Sequence, residues 1–325
     1  MTINLHQTSA LSSSHFDAKL CVLLADVMDT YVASKTGPVS LTPEILPGTD
    51  LSKDWDTLGY LIANQEMHDI GNDGPRMVFF GVLAKSKAVD GMYAVLLRGT
   101  EGWREWVANC HVLQTDYLMP ALPGACVDGA LVCFPGGDCG DVEQGFFSIY
   151  SSMRYLSVAG GDSKSAWQGI AQEVNDPAAT LFVAGHSMGG ALATYLTFDL
   201  AQQAALQAYG VFVASPKPGD ADFAKAFNAA VRDYVVYDNV RDIVPDLPPA
   251  LLGYAPLPRR VQLTEHTSQA VIKDEVRSNH HALCYAAMLY YPLKTQEQWT
   301  ALLVRDDYEA DCIQGAAPLL ELTAA

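Results

Sequence analysis

The sequence predicts an α/β layered fold with one central, mostly parallel β-sheet flanked by helices. Three observations lead there. Short apolar runs alternate with helical stretches, each run is bounded by Gly, Pro or Asp, and several runs are apolar on consecutive positions. Consecutive apolar residues mark strands covered on both faces, as in a parallel sheet; half-exposed strands alternate instead.

Taken in order, residues 16–34 come first. They put Leu20, Leu23, Leu24, Val27 and Tyr31 on one helical face, with Asp17 near the start and Gly37 and Pro38 beyond the end. A loop carrying Pro43, Pro47 and Gly48 follows. Strands are expected at 77–83 (MVFFGVL), 93–97 (YAVLL), 180–184 (TLFVA), 211–214 (VFVA), 234–237 (YVVY) and 261–263 (VQL), with helices at 188–207 and 219–231. Residues 120–140 are rich in Gly and Pro and read as a long loop. The Ala-rich stretch 305–325 is expected to be poorly ordered. No internal repeat is visible, and 325 residues suit a single domain, 1–325.

Half of the residues are hydrophobic and 18% are charged, which supplies a sizeable core. The formal net charge of −17 repels nucleic acid and anionic headgroups, so no nucleic-acid partner is expected. No apolar run is long enough to span a membrane. The N-terminal residues lack the basic start and apolar centre of a signal peptide, so the expected location is the cytoplasm, or outside the cell by another route. The seven cysteines include a dense group, Cys110, Cys126, Cys133 and Cys139. Two readings stay open for it, ordinary small apolar residues or a loop disulfide. No pair has the C-x-x-C spacing of zinc sites, so no metal is expected.

The strongest local signal is GHSMG at 185–189. It follows the strand TLFVA directly and precedes a helix in which Leu192, Leu196 and Leu200 recur every fourth residue. Strand, tight turn and helix are the setting of the nucleophile elbow of α/β-hydrolases. A serine here could simply cap the helix. The flanking glycines favour a strained turn instead, one that lifts the Ser187 hydroxyl above the sheet at a helix N-terminus, where negative charge is favoured.

A serine hydroxyl needs a base, and the base needs an orienting acid. In this fold the order along the chain is Ser, acid, His. Asp238, Asp242 and Asp246 all follow the strand YVVY, and the residues alone do not choose among them. Of the histidines beyond them, His266 lies in a polar stretch, while His280 and His281 open an apolar helix. That junction suits the base, and the choice within the pair stays open. An oxyanion needs two fixed donors. One is the backbone N–H after the nucleophile, Met188; the other is expected from the loop ending YAVLLRGT, at Thr100. Beyond it, Trp103, Trp106 and Val107 share helical spacing, and the segment 102–140 is long enough for a lid or insertion.

Five segments in order, LLRGT, VEQGFFSIY, VAGHSMGGALATY, FVASPKPGDADFAKAF and DNVRDIVPDLPP, resemble the class 3, fungal-type triacylglycerol lipases. The resemblance covers about 77–291. It implies an α/β-hydrolase fold with a lid after the oxyanion strand, and a carboxylic ester hydrolase working through an acyl-enzyme without cofactor. The implied substrate is a small-molecule or lipid ester, met in transient contact with a lipid interface; phospholipase or feruloyl-type esterase activity is the alternative, and a non-catalytic binding module on the same fold is a further one. The family's Asp-x-Val-Pro segment selects Asp242 as the triad acid. Its histidine, with a tyrosine five residues on, selects His280 through Tyr285. The sequence departs from the family at Gln144, where histidine is frequent, and in the length of the Cys-rich insertion.

Overall fold

The computed structural model describes residues 10–35, 40–64, 77–100, 114–116 and 139–318. The strands are β1 (Trp55–Asn64), β2 (Met77–Ser86), β3 (Met92–Leu97), β4 (Gln114–Asp116), β5 (Asp141–Glu143), β6 (Arg154–Ser157), β7 (Lys164–Ser165) and β8 (Thr180–His186). They continue with β9 (Tyr209–Val213), β10 (Gly219–Asp220), β11 (Asp233–Asn239), β12 (Tyr254–Ala255), β13 (Arg260–Leu263), β14 (Ala270–Ile272) and β15 (Ile313–Ala316). The α-helices are α1 (Ala10–Ser34), α2 (Asp50–Asp54), α3 (Gln144–Ser152), α4 (Ala166–Glu173), α5 (Met188–Gln203), α6 (Ala221–Ala230), α7 (Val276–Asn279), α8 (Ala282–Tyr290) and α9 (Gln296–Arg305).

Nine strands form the central sheet in the order β13-β11-β9-β8-β3-β2-β1-β6-β7. The half from β3 to β13 is parallel. The half from β3 through β2, β1 and β6 to β7 is antiparallel. The sheet is therefore mixed, and β2 shows why the sequence hides this. Its residues 78–84 are buried throughout, so the unbroken apolar run reports cover on both faces and not strand direction. Strand β1 is absent from the sequence reading because register shifts between Thr57 and Gly59 and between Leu61 and Ile62 break its alternation.

Each face of the sheet has its own core. One packs Phe146 and Ile149 of α3, Trp167 and Ile170 of α4, and Leu192 and Leu196 of α5 against the sheet. The other is built by α1, α8 and α9, with Leu20, Leu24, Tyr285 and Trp299 buried together. The five residues expected on one face of α1 are all buried; each fully buried aliphatic contributes about 1.5–3 kcal/mol. The helix begins at Ala10 rather than near Asp17. Asp17 is no cap: it is buried and accepts a hydrogen bond from the Tyr237 hydroxyl at 2.7 Å, and burial pushes its carboxyl up to about 6.

Within the described residues the C-terminal stretch is better ordered than its composition suggests. Strand β15 pairs with β14, and Cys312 and Ile313 are buried, so backbone partners and core contacts offset the ordering entropy there. Cys21 and Cys284 are buried thiols, as is Cys312. Cys110, Cys126 and Cys133 lie outside the described residues, as do Trp103, Trp106 and Val107. Among the described residues no helix is long and apolar enough to cross a membrane.

Candidate active site

Ser187 stands between β8 and α5 with φ 57° and ψ −132°. A non-glycine residue with positive φ is strained and persists only where its surroundings enforce it. They do so here by close packing. A Cβ on Gly185 would lie 2.0 Å from the Gly189 carbonyl oxygen, and one on Gly189 would lie 2.4 Å from the Leu97 carbonyl oxygen. The turn is held by Ser187 N–H donating to Val213 O at 2.9 Å and Gly190 N–H donating to Ser187 O at 2.8 Å.

His280 occupies the link between α7 and α8. Its Nε2 lies 2.9 Å from Ser187 Oγ and its Nδ1 lies 2.7 Å from Asp242 Oδ2. A carboxylate only accepts, so the proton sits on Nδ1 and Nε2 accepts from the serine hydroxyl. Asp242 lies in the turn after β11, its N–H on Asn239 O at 2.8 Å and its Oδ1 accepting from Val244 N–H at 3.0 Å. Its Oδ2 takes a second bond, from the Tyr285 hydroxyl at 2.9 Å. That hydroxyl in turn accepts from Asn239 N–H at 2.8 Å. Burial and the Asp242 charge push the Tyr285 phenol well above its ordinary range, so it stays a donor. Ser187 is 2% exposed and His280 4%, so these bonds lie in a low-dielectric site where polar groups must be paired.

The other candidates lie elsewhere. Asp238 is buried in an ion pair with Arg260. Asp246 is exposed, and its carbonyl oxygen takes the Lys217 ammonium. His266 is exposed in a turn. His281 points away from Ser187: its Nδ1 accepts from Leu283 N–H at 3.3 Å and caps α8, while Nε2 lies 3.2 Å from Asp306. Burial pushes its imidazole down to about 3, so it is neutral. Gln144 is the exposed first residue of α3.

Met188 opens α5, in the first turn, where backbone N–H groups lack intrahelical partners. Thr100 follows Gly99, and a Cβ on Gly99 would lie 2.9 Å from Ser187 Cβ, so this loop runs against the nucleophile. Buried Arg98 holds it. Its Nε donates to Phe79 O at 2.8 Å and an Nη to Gly99 O at 2.7 Å, and the guanidinium stacks 3.4 Å from the Tyr31 ring centroid of α1. A cavity of about 640 Å³ opens beside the loop, lined by Gly99, Thr100, His186, His280, Leu24 and Met28 among others.

Three side chains in this assembly escaped the sequence reading. Arg98 carries no assignable role in the sequence. Tyr285 served only as a spacing mark. His186 stands at the variable position of the elbow motif, to which the sequence assigns no role. Each acts through a contact far along the chain, for which no local pattern exists.

Residues 94–252 match the family described as lipase (class 3). The lipase of Rhizomucor miehei is 26% identical over 181 residues, covering 54% of this chain and 43% of that protein. Phospholipase A1 EG1, chloroplastic/mitochondrial, of Oryza sativa subsp. indica is 34% identical over 174 residues, covering 50% of this chain and 37% of that protein. The chain thus spans half or less of the length of these two relatives. The Rhizomucor miehei triacylglyceride lipase structure superimposes with a TM-score of 0.52 at 20% identity, covering 75% of this chain and 79% of that one, a likeness of fold. The match over residues 94–252 is thus to the class 3 lipase family, and the chain has the α/β-hydrolase fold.

Proposed function

We propose that the protein hydrolyses carboxylic esters, with Ser187 as nucleophile, His280 as general base and acid, and Asp242 as the orienting carboxylate. The observation that carries this reading is the unbroken hydrogen-bonded chain from Ser187 Oγ through His280 to Asp242 Oδ2, set on a strained elbow. His280 Nε2 takes the serine proton as Oγ bonds to the ester carbonyl carbon. The negative charge formed on the carbonyl oxygen is met by backbone N–H groups of Thr100 and Met188. The imidazolium, held by Asp242, returns the proton to the leaving alcohol. Water then repeats the sequence on the acyl-enzyme, and Ser187 is restored with release of the acid. None of these steps needs a cofactor.

The relatives named as lipase favour acylglycerols as substrates. Phospholipase A1 EG1, at 34% identity, favours a second reading, cleavage of an acyl chain from a phospholipid. Hydrolysis of p-nitrophenyl esters from short to long acyl chains, comparing the protein with Ser187→Ala, tests the mechanism. Turnover that survives in Ser187→Ala would overturn it. Parallel assays on triglyceride and phosphatidylcholine separate the two substrate readings.

A further inference from the structure

We propose that His186, the residue before the nucleophile, is a positioning residue: it ties the backbone of His280 to the elbow and so sets the imidazole over Ser187. This rests on the ester-hydrolase reading above. The reacting groups come from two separate parts of the chain. Ser187 is locked to the sheet through β8 and α5. His280 stands on a two-residue link, His280–His281, between the four-residue α7 and the helix α8, whose first backbone bond runs from Tyr285 N–H to His281 O. That bond fixes α8 from His281 onward and leaves the height of His280 to other contacts. His186 provides one. Its Nε2 lies 2.7 Å from the His280 carbonyl oxygen. A carbonyl only accepts, so His186 carries its proton on Nε2 and donates it. One residue of the elbow therefore grips the backbone of the base while its neighbour, Ser187, meets the side chain of the same base at 2.9 Å.

The protonation state matters because the two imidazoles are neighbours, with ring centroids 4.9 Å apart. When His280 takes the serine proton it becomes a cation, and a charged His186 at this distance would oppose it. Burial, then the proximity of His280, hold His186 well below the ordinary imidazole range. The other titratable groups around the shared cavity are Asp29 of α1, Arg277 of α7, His281 before α8, Arg305 with Asp306 at the end of α9, and Asp307 and Tyr308 just beyond it. His281 is neutral and Arg305 is paired with the buried Asp26 at 2.7 Å, so neither adds a free charge against the base.

The test compares His186→Phe, His186→Asn and His186→Gln. Phenylalanine keeps the ring volume without the donor. Glutamine carries an amide N–H about as far out as Nε2, and asparagine ends one bond shorter. Thermal unfolding establishes that each variant is folded. Steady-state kinetics on a p-nitrophenyl ester gives kcat and KM, and the low-field proton resonance of His280 Nδ1–H reports the His280–Asp242 bond directly. His186→Phe and His186→Asn are expected to lose at least tenfold in kcat with KM within twofold and to shift or broaden that resonance. His186→Gln is expected to recover most of both. Should His186→Phe not fold, the comparison of glutamine with asparagine decides. Wild-type kcat in His186→Phe, or equal loss in glutamine and asparagine with an unmoved resonance, would overturn the proposal. A wild-type protein that no fluorophosphonate labels at Ser187 would instead remove the underlying hydrolase reading.

Discussion

Tyr285 places its hydroxyl 2.9 Å from Asp242 Oδ2, the same oxygen that faces His280 Nδ1. The carboxylate is thus held from two sides, by the imidazole it orients and by a buried phenol. Both bonds fix the position of Oδ2. Tyr285→Phe removes one and also leaves Asn239 N–H without its acceptor. A hydrogen bond to a charged group contributes about 1.5–3 kcal/mol and an orphaned buried donor costs about 1–3. We expect kcat to fall by about one order of magnitude with KM little changed, and stability to drop by roughly 2 kcal/mol. Kinetics and urea unfolding of the variant check both; unchanged values in both would show that Tyr285 is only core.

The elbow stores backbone strain at the nucleophile. Ser187 at φ 57° is in a region that costs a non-glycine residue about 1–3 kcal/mol. Ser187→Gly relieves it and abolishes the nucleophile. The expected result is an inactive protein whose Tm is higher by several degrees, since 1 kcal/mol moves Tm by about 2–4 °C in larger domains. A Tm below that of the parent would mean that the Ser187–His280 bond outweighs the strain.

Arg98 joins three elements: β2 through Phe79 O, its own loop through Gly99 O, and α1 through the Tyr31 ring. Lysine keeps the charge but loses the planar fork and the stacking. Arg98→Lys is expected to lower stability by about 2–4 kcal/mol through unpaired buried carbonyls. It is also expected to lower kcat more than it raises KM, because the adjoining Thr100 loop loses its anchor. Guanidinium chloride unfolding and ester kinetics measure the two effects separately.

A buried charge cluster makes stability depend on pH. Arg305 faces Asp26 at 2.7 Å, Asp29 at 2.5 Å and Asp306 at 3.7 Å, so one guanidinium serves three enclosed carboxyls. The cluster keeps a proton. Burial first, then the Asp306 carboxyl, raises Asp29 to about 8, and Asp306 is raised as well. A carboxyl raised in the folded state stabilises it fully below its unfolded value near 3.8, and this contribution is lost as pH rises through about 8. Stability from this cluster should therefore decline between pH 5 and pH 8.5. Asp29→Asn, permanently neutral, should flatten that decline and unfold at a higher temperature than the parent at pH 8.5. Identical Tm profiles for the two proteins would refute it.

How much of this the sequence discloses depends on the range of the interaction. The elbow is legible because strand, glycine turn and helix are neighbours in the chain, and steric exclusion at Gly185 and Gly189 needs only nearby backbone. The apolar runs are legible because burial writes itself into composition. Their direction is not: β2 and β8 carry similar runs, yet one pairs antiparallel and the other parallel to β3.

The acid and the base lie at the other limit. Asp238, Asp242 and Asp246 are equivalent in local pattern, and so are His280 and His281; the resemblance to a family selected among them. Tertiary structure separates them physically. Asp238 is committed to Arg260 and His281 to capping α8, while Asp242 and His280 meet at 2.7 Å. By itself the sequence determined the layered α/β fold and the strand-turn-helix that presents Ser187, because short-range sterics and burial act along the chain. Only the tertiary structure decided which carboxylate and which imidazole face that serine, and gave Tyr285, Arg98 and His186 their partners, because a hydrogen bond between residues 38 or 94 positions apart exists only once the chain has folded.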